Sequence, residues 1–283
     1  MTPQDFVERS DLRGFLALGR DWGAIIATIL FSVWANNFFV YLASVWVIGT
    51  FQYAIGEVLL HEASHYNLFK SKKINEFSKI FYAFPFLVLM SAYRTEHRDH
   101  HYKMNTKFDH IVGDYEIIGL NNPKKNMFWI WFIKPIIGYS GYFFLYDLRY
   151  TKIEKNHLQL IFFWIAIIGI FAYFDRLDIL LYYWIIPLFW VFSTQRYWSE
   201  IAKHYNTKNT TRSDIGWKNH IFHNAGYHFT HHKYPSIPWY KLSQAHNALC
   251  ADSVDISSGF LDTYRKLTEN LNSEKKSSDI DSV

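Results

Sequence analysis

Two apolar stretches, each close to twice the length of a membrane crossing, limit this chain more than any other feature. The first, "WGAIIATILFSVWANNFFVYLASVWVIGTFQYAIGEVLL", fills residues 22–60. The second pairs "HLQLIFFWIAIIGIFAYF" (157–174) with "DILLYYWIIPLFWVFSTQ" (178–195). A helix needs about 20 apolar residues to cross a bilayer, so each stretch is expected to form a helical hairpin. Asn36-Asn37 is the expected turn of the first, giving spans at 22–35 and 38–60, and the loop Asp175-Arg176-Leu177-Asp178 turns the second. Lipid offers no partner to an open backbone, so spanning segments close their hydrogen bonds within helices. The expected fold class is all-α and integral to the membrane, with about four transmembrane helices.

The rest of the chain reads as a helical cap. An aromatic share of 20% fits ring belts at the membrane interfaces. The run 80–93 is short for a crossing and is broken by Pro85, and 126–146 carries Lys134 and Pro135 and is expected to lie in the interface. Residues 1–267 are expected to form one domain, its cap drawn from 61–125 and 196–267, followed by a disordered tail at 268–283. Lys70, Lys72, Lys73, Arg94, Arg98, Lys103 and Lys107 follow the first hairpin, whereas the 175–178 loop is slightly acidic. Positive-inside bias then puts the cap and both termini in the cytoplasm. A net charge of +4 gives no argument for nucleic acid. Cys250, the only cysteine, excludes an intrachain disulfide and any cysteine-based metal site.

Histidine is where the chemistry concentrates. His61 and His65 lie in "HEASH", His97, His100 and His101 in "HRDHH", and His228, His231 and His232 in "HFTHH". Residues three and four apart share a helix face, so each cluster aims two or three imidazoles at one point. The expected topology leaves all three on one side of the membrane. HEASH also fits the H-E-x-x-H zinc protease word, with Glu62 as its base. A catalytic zinc takes three protein ligands, whereas eight box histidines suit two metals of coordination five or six. Imidazole serves Zn, Cu, Fe and Ni alike, which leaves the metal open at this point. His110, His157, His220, His223 and His246 lack a second cluster member and are expected to be structural or exposed.

In this order, HEASH, HRDHH and HFTHH resemble the three histidine boxes of the membrane fatty acid desaturases, a superfamily that includes alkane hydroxylases and carotenoid ketolases. The resemblance runs over residues 55–250 and takes in "RTEHRDHHYKMNTKFDH", with Asn105 and Asp109, and "GYHFTHHKYPSIPWYKLSQAH". It implies two non-haem irons held by nine histidines: His61, His65, His97, His100, His101, His204, His228, His231 and His232. His204 comes from "RYWSEIAKHYN", where Lys203 replaces a glutamate common in the family. The resemblance also suggests Asn224 as a water-mediated ligand, and Glu62 and Asp109 as residues that orient liganding imidazoles.

The activity so implied is O2-dependent desaturation of a fatty acyl chain in a lipid or thioester. Hydroxylation or ketolation of a hydrocarbon, sphingolipid or carotenoid is the alternative, and a zinc protease is a distant third. No nucleotide fingerprint, iron–sulfur cysteine set or His-Pro-Gly-Gly haem segment is present. A separate electron donor of ferredoxin, rubredoxin or cytochrome b5 type is therefore implied.

Overall fold

Ser10 accepts the Arg13 N–H and opens a helix, Asp11–Ala35, that begins well before the apolar run at Trp22. Asn36 ends it in the left-handed region at φ 44°, a conformation that asparagine tolerates. Asn37 then caps the next helix by accepting the Phe39 and Val40 N–H groups. The computed structural model describes residues 1–148, 156–208 and 210–269, and the chain is mostly helical.

Among the described residues, Asp11–Ala35, Phe38–Ser64 and Leu177–His204 are long and apolar enough to cross a membrane. His157–Tyr173 is a fourth apolar helix of 17 residues, at the lower limit of about 17 for a crossing. None of its residues is buried, and Leu158, Ile161, Phe162 and Ile165 point outward. An apolar face left open in this way suits lipid rather than water. The last long helix continues past Gln195 to His204, so the first residues expected in the cap extend a span.

Two of the long helices touch closely because glycine omits a side chain. A Cβ at Gly49 would lie 2.4 Å from the Val191 Cβ, and one at Gly56 would lie 2.3 Å from the Phe86 ring. The helices also widen into π-turns, at Ala54–Leu59 and, either side of Pro187, at Leu181–Ile185 and Leu188–Phe192. Proline has no N–H to give to the α-helical ladder, and a π-turn is one way for the ladder to absorb that gap.

The stretch expected in the interface folds as Trp129–Ile133, a kink at Gly138 (φ 98°), and Ser140–Leu148. One face of it packs into the core rather than lying apart. Trp131, Phe143 and Phe144 are buried, and the Tyr197 hydroxyl and Trp198 indole donate to the Ile130 and Trp131 carbonyls at 3.1 and 2.8 Å.

The cap is built from Met90–Lys103, His110–Ile118, His228–Lys233 and Leu242–Leu249. A two-residue parallel pairing, Ser213–Asp214 with Ile256–Ser257, ties its segments together. Beside it the buried Arg212 holds Asp255 at 2.7 Å and donates to the Ala202 and Asn206 carbonyls. The expected tail lies outside the described residues from 270 onward, and residues 268–269 close a helix at 260–269.

Candidate metal centre

Each histidine cluster sits where a helix end or a short helix can aim it. His61 and His65 close the second long helix, and His204 closes the last. Met90–Lys103 carries His97, His100 and His101, and His228–Lys233 carries His228, His231 and His232. The segments bring all nine histidines together at one end of the long helices, in two groups.

The first group is His61, His65, His97, His101 and His231, whose ligand-capable atoms lie within 4.8 Å of one another. Nε2 of His97 stands 2.9 Å from that of His65 and 3.0 Å from that of His101, and His231 Nε2 is 3.3 Å from His101 Nε2. The second group joins His100, His204 and His232. His228 completes it, with its Nε2 2.9 Å from His204 Nε2 and 3.0 Å from His232 Nε2. Neighbours in sequence are divided between the groups: His100 and His101 part company, as do His231 and His232.

These contacts fit metal cations better than hydrogen bonds. A neutral imidazole nitrogen is either a donor or an acceptor, so His97 Nε2 and His228 Nε2 could serve two neighbours only as shared acceptors. Two imidazoles bound at about 2.1 Å and at right angles to each other would have nitrogens about 3.0 Å apart. The observed separations match that spacing. His61 Nε2 and His100 Nε2 are buried with no hydrogen-bond partner, which is expected of lone pairs reserved for a ligand.

Electrostatics keep the donors neutral. Burial lowers His65 to about 4 and His101 to about 3, with neighbouring histidines adding to the effect at His101. Burial followed by neighbouring charges pushes His97, His228, His231 and His232 well below the ordinary imidazole range. Neutral imidazole is the form that binds a metal.

Asp109 fixes one of these rings. Its carboxylate meets His100 Nδ1 at 3.0 and 3.1 Å and accepts the Asn105 and Ile111 N–H groups. Burial alone would raise the Asp109 carboxyl, but the hydrogen bond and charge of His100 hold it below the usual range. With Nδ1 engaged, His100 presents Nε2 to its group, the carboxylate–histidine arrangement typical of metal sites. Glu62 stands 3.7 Å from His61 Nδ1, beyond hydrogen-bond reach, and accepts the Trp239 N–H instead. Asn224 is left-handed at φ 57°, and its amide donates to the Trp239 carbonyl at 3.2 Å.

Of the histidines without a cluster, His223 bonds Asp21 at 2.7 Å and ties the first helix to the cap, and His246 meets the Thr230 hydroxyl. His110 lines the cavity beside the centre.

That cavity, ≈ 1170 Å³ with its open mouth, is lined by His61, His97, His100, His204, His228 and His231. It holds charges that sequence spacing did not single out. Arg196 donates to Glu57 at 3.0 Å and also pairs with Asp147, while Glu200 and Lys203 line the same space. The only sequence signal for them was a run of charged residues at the end of an apolar helix.

The chain matches the fatty acid desaturase family over residues 22–256. It is also similar to the dihydrorhizobitoxine desaturase of Bradyrhizobium elkanii, at 26% identity over 271 residues, spanning 83% of this chain and 74% of that protein.

Proposed function

Because the chain belongs to the fatty acid desaturase family, we propose that it is a membrane-bound, two-iron, O2-dependent desaturase acting on an aliphatic segment of its substrate. The family implies a lipid substrate and association with a membrane. The observation that supports this reading best is the gathering of nine histidines into two adjoining groups. On this reading His61, His65, His97, His101 and His231 hold one iron, and His100, His204, His228 and His232 hold the other. Two irons bound there supply O2 activation and the oxidising power to take hydrogen from an unactivated carbon.

The protein's own part is binding, orientation and exclusion of water. Asp109 keeps the His100 ring in the tautomer that presents Nε2. Phe144, Phe192, Val88 and Leu148 line part of the cavity and favour an aliphatic segment over water there. The substrate gives up two hydrogens to form the double bond, and O2 accepts these with two electrons and two protons to give water. The electrons come from a separate donor of ferredoxin, rubredoxin or cytochrome b5 type. The long helices form several crossings, with the centre and both termini on the cytoplasmic side.

Glu62 has no role as a hydrolytic base on this reading. Its second oxygen is committed to Trp239, and His61 and His65 share their group with three further histidines. Hydroxylation remains the second reading, since it would use the same centre.

The test is metal content of the detergent-solubilised protein, with His100→Ala and His231→Ala alongside, followed by turnover in 18O2. About two irons per chain in the wild type, reduced in both variants, with unlabelled olefin as product, is expected. Label retained in the product would instead assign a hydroxylase. One zinc per chain, indifferent to both substitutions, would overturn the reading.

A further inference from the structure

Near the apolar wall of the metal-centre cavity lies a second space, a groove of ≈ 710 Å³ with its open mouth. It runs between the helices Asp11–Ala35, His157–Tyr173 and Leu177–His204, and Trp22, Ile26, Pro85, Ile167 and Trp184 help to line it. Each polar side-chain atom of its lining is turned into a hydrogen bond. The Trp22, Trp164 and Trp184 indoles donate to the Phe81, Phe84 and Pro85 carbonyls at 3.2, 3.0 and 3.2 Å, and the Tyr183 hydroxyl bonds Ser32 at 3.0 Å. A space with no free donor or acceptor suits an aliphatic chain better than water.

Phe86, fully buried, touches the walls of both spaces. Its ring stacks on Phe192 at 5.4 Å and 23° and lies against Gly56, and both of these line the metal-centre cavity. It also meets Trp184 at 5.6 Å, and Trp184 lines the groove. The backbone divides in the same way, with Pro85 on the groove and Val88 on the cavity. Because Gly56 has no side chain, the ring stands directly behind that wall. The three indoles come from three different helices and pin the carbonyls just before Phe86, which leaves its ring little freedom to swing aside. We propose that Phe86 is the partition between the two spaces and determines how long an aliphatic segment the cavity accepts. The end of the segment meets the wall that Phe86 backs and stops short of the groove. The inference rests on the desaturase reading and deepens it by naming the residue that limits chain length.

The experiment measures binding of hexanoate, decanoate, tetradecanoate and octadecanoate to the iron-loaded full chain in lipid nanodiscs. The wild type is compared with Phe86→Ala, Ile167→Trp and the double variant, and the ratio of variant to wild-type affinity at each length cancels partitioning into the lipid. For Phe86→Ala the ratio is expected to rise with chain length, by about fourfold for each methylene that enters the groove. Ile167→Trp refills the groove, so in the double variant that rise is expected to disappear. In the otherwise wild-type protein, Ile167→Trp is expected to leave the whole series unchanged, because the partition keeps the chains out of the groove.

A Phe86→Ala ratio that is the same at every length would overturn the proposal, as a merely structural role for the ring predicts. So would weaker binding of the long chains to Ile167→Trp alone, since the chains would then already occupy the groove. That second comparison stands even if Phe86→Ala does not fold, and Phe86→Leu, which removes less of the ring, is expected to show a smaller rise. Failure of the whole series to bind would also overturn it. Iron measured on the same samples separates the two claims. Full iron content with a length-blind ratio would sink this inference alone, whereas an iron-free wild type with a length-dependent ratio would sink the desaturase reading and leave the partition intact.

Discussion

Replacing Asp109 with asparagine would separate two tasks that one carboxylate performs. Asp109 caps the helix His110–Ile118 by accepting the Ile111 N–H, and it holds His100 Nδ1 at 3.0 Å. Asparagine is as good a cap as aspartate, so the fold should survive with a loss of about 1 kcal/mol or less. The His100 ring, in contrast, would lose a charged acceptor and face a neutral amide. Loss of such a partner typically weakens metal binding by about 10–100-fold, equivalent to about 1.4–2.7 kcal/mol. Only the group of His100, His204, His228 and His232 should feel it, because Asp109 touches no histidine of the other group. The assay is chelator titration of the iron-loaded protein, with thermal unfolding as the control on folding. The variant should release about one iron per chain at 10–100-fold lower chelator and hold the other as the wild type does. If both irons leave together, or neither leaves more easily, Asp109 does not act through His100 and the division into two groups is wrong.

Arg212→Ala should cost about 3–5 kcal/mol, because it leaves Asp255 buried without its partner, and reduced iron at the His204 group should accompany the lowered unfolding temperature. Gly56→Ala should destabilise by about 1–3 kcal/mol, since its Cβ would fall 2.3 Å from the Phe86 ring; an unchanged melting temperature would refute that packing argument. The metal-free protein should lose stability in mild acid. Its histidines titrate lower when folded than when unfolded, so below about pH 6.5 the unfolded chain binds more protons and is favoured. The loss should continue towards pH 4, where His65 titrates, and metal should protect against it; equal acid sensitivity with and without metal would count against the assignment.

The histidine sites were legible because helical spacing repeats locally: i, i+3 and i+4 place H-x-x-H-H on one face wherever the helix lies. Asp109 and His204 were legible only through the resemblance, because neither stands at helical spacing from a box histidine. The charged wall was not. Asp147 and Glu57 reach Arg196 from helices far away in the chain, and no local spacing announces that meeting. The early start of the first helix was also hidden, because Asp11, Arg13, Arg20 and Asp21 interrupt the apolar pattern ahead of Trp22. Gly14 lets Phe69 and the Leu68 carbonyl approach that segment, and Asp21 is held by His223.

The way neighbouring histidines are shared between the two groups gives the centre an approximate exchange symmetry. Met90–Lys103 contributes its i and i+4 histidines to the first group and its i+3 histidine to the second, and His228–Lys233 does the reverse. Each helix therefore contributes to both histidine groups, and the helical backbone helps to set how far apart the groups lie. Inserting one residue between His97 and His100, or between His228 and His231, would turn the later histidines by about 100° and disturb both groups at once. A change in the backbone of either helix therefore reaches both groups, whereas a change at one side chain, such as Asp109, reaches one.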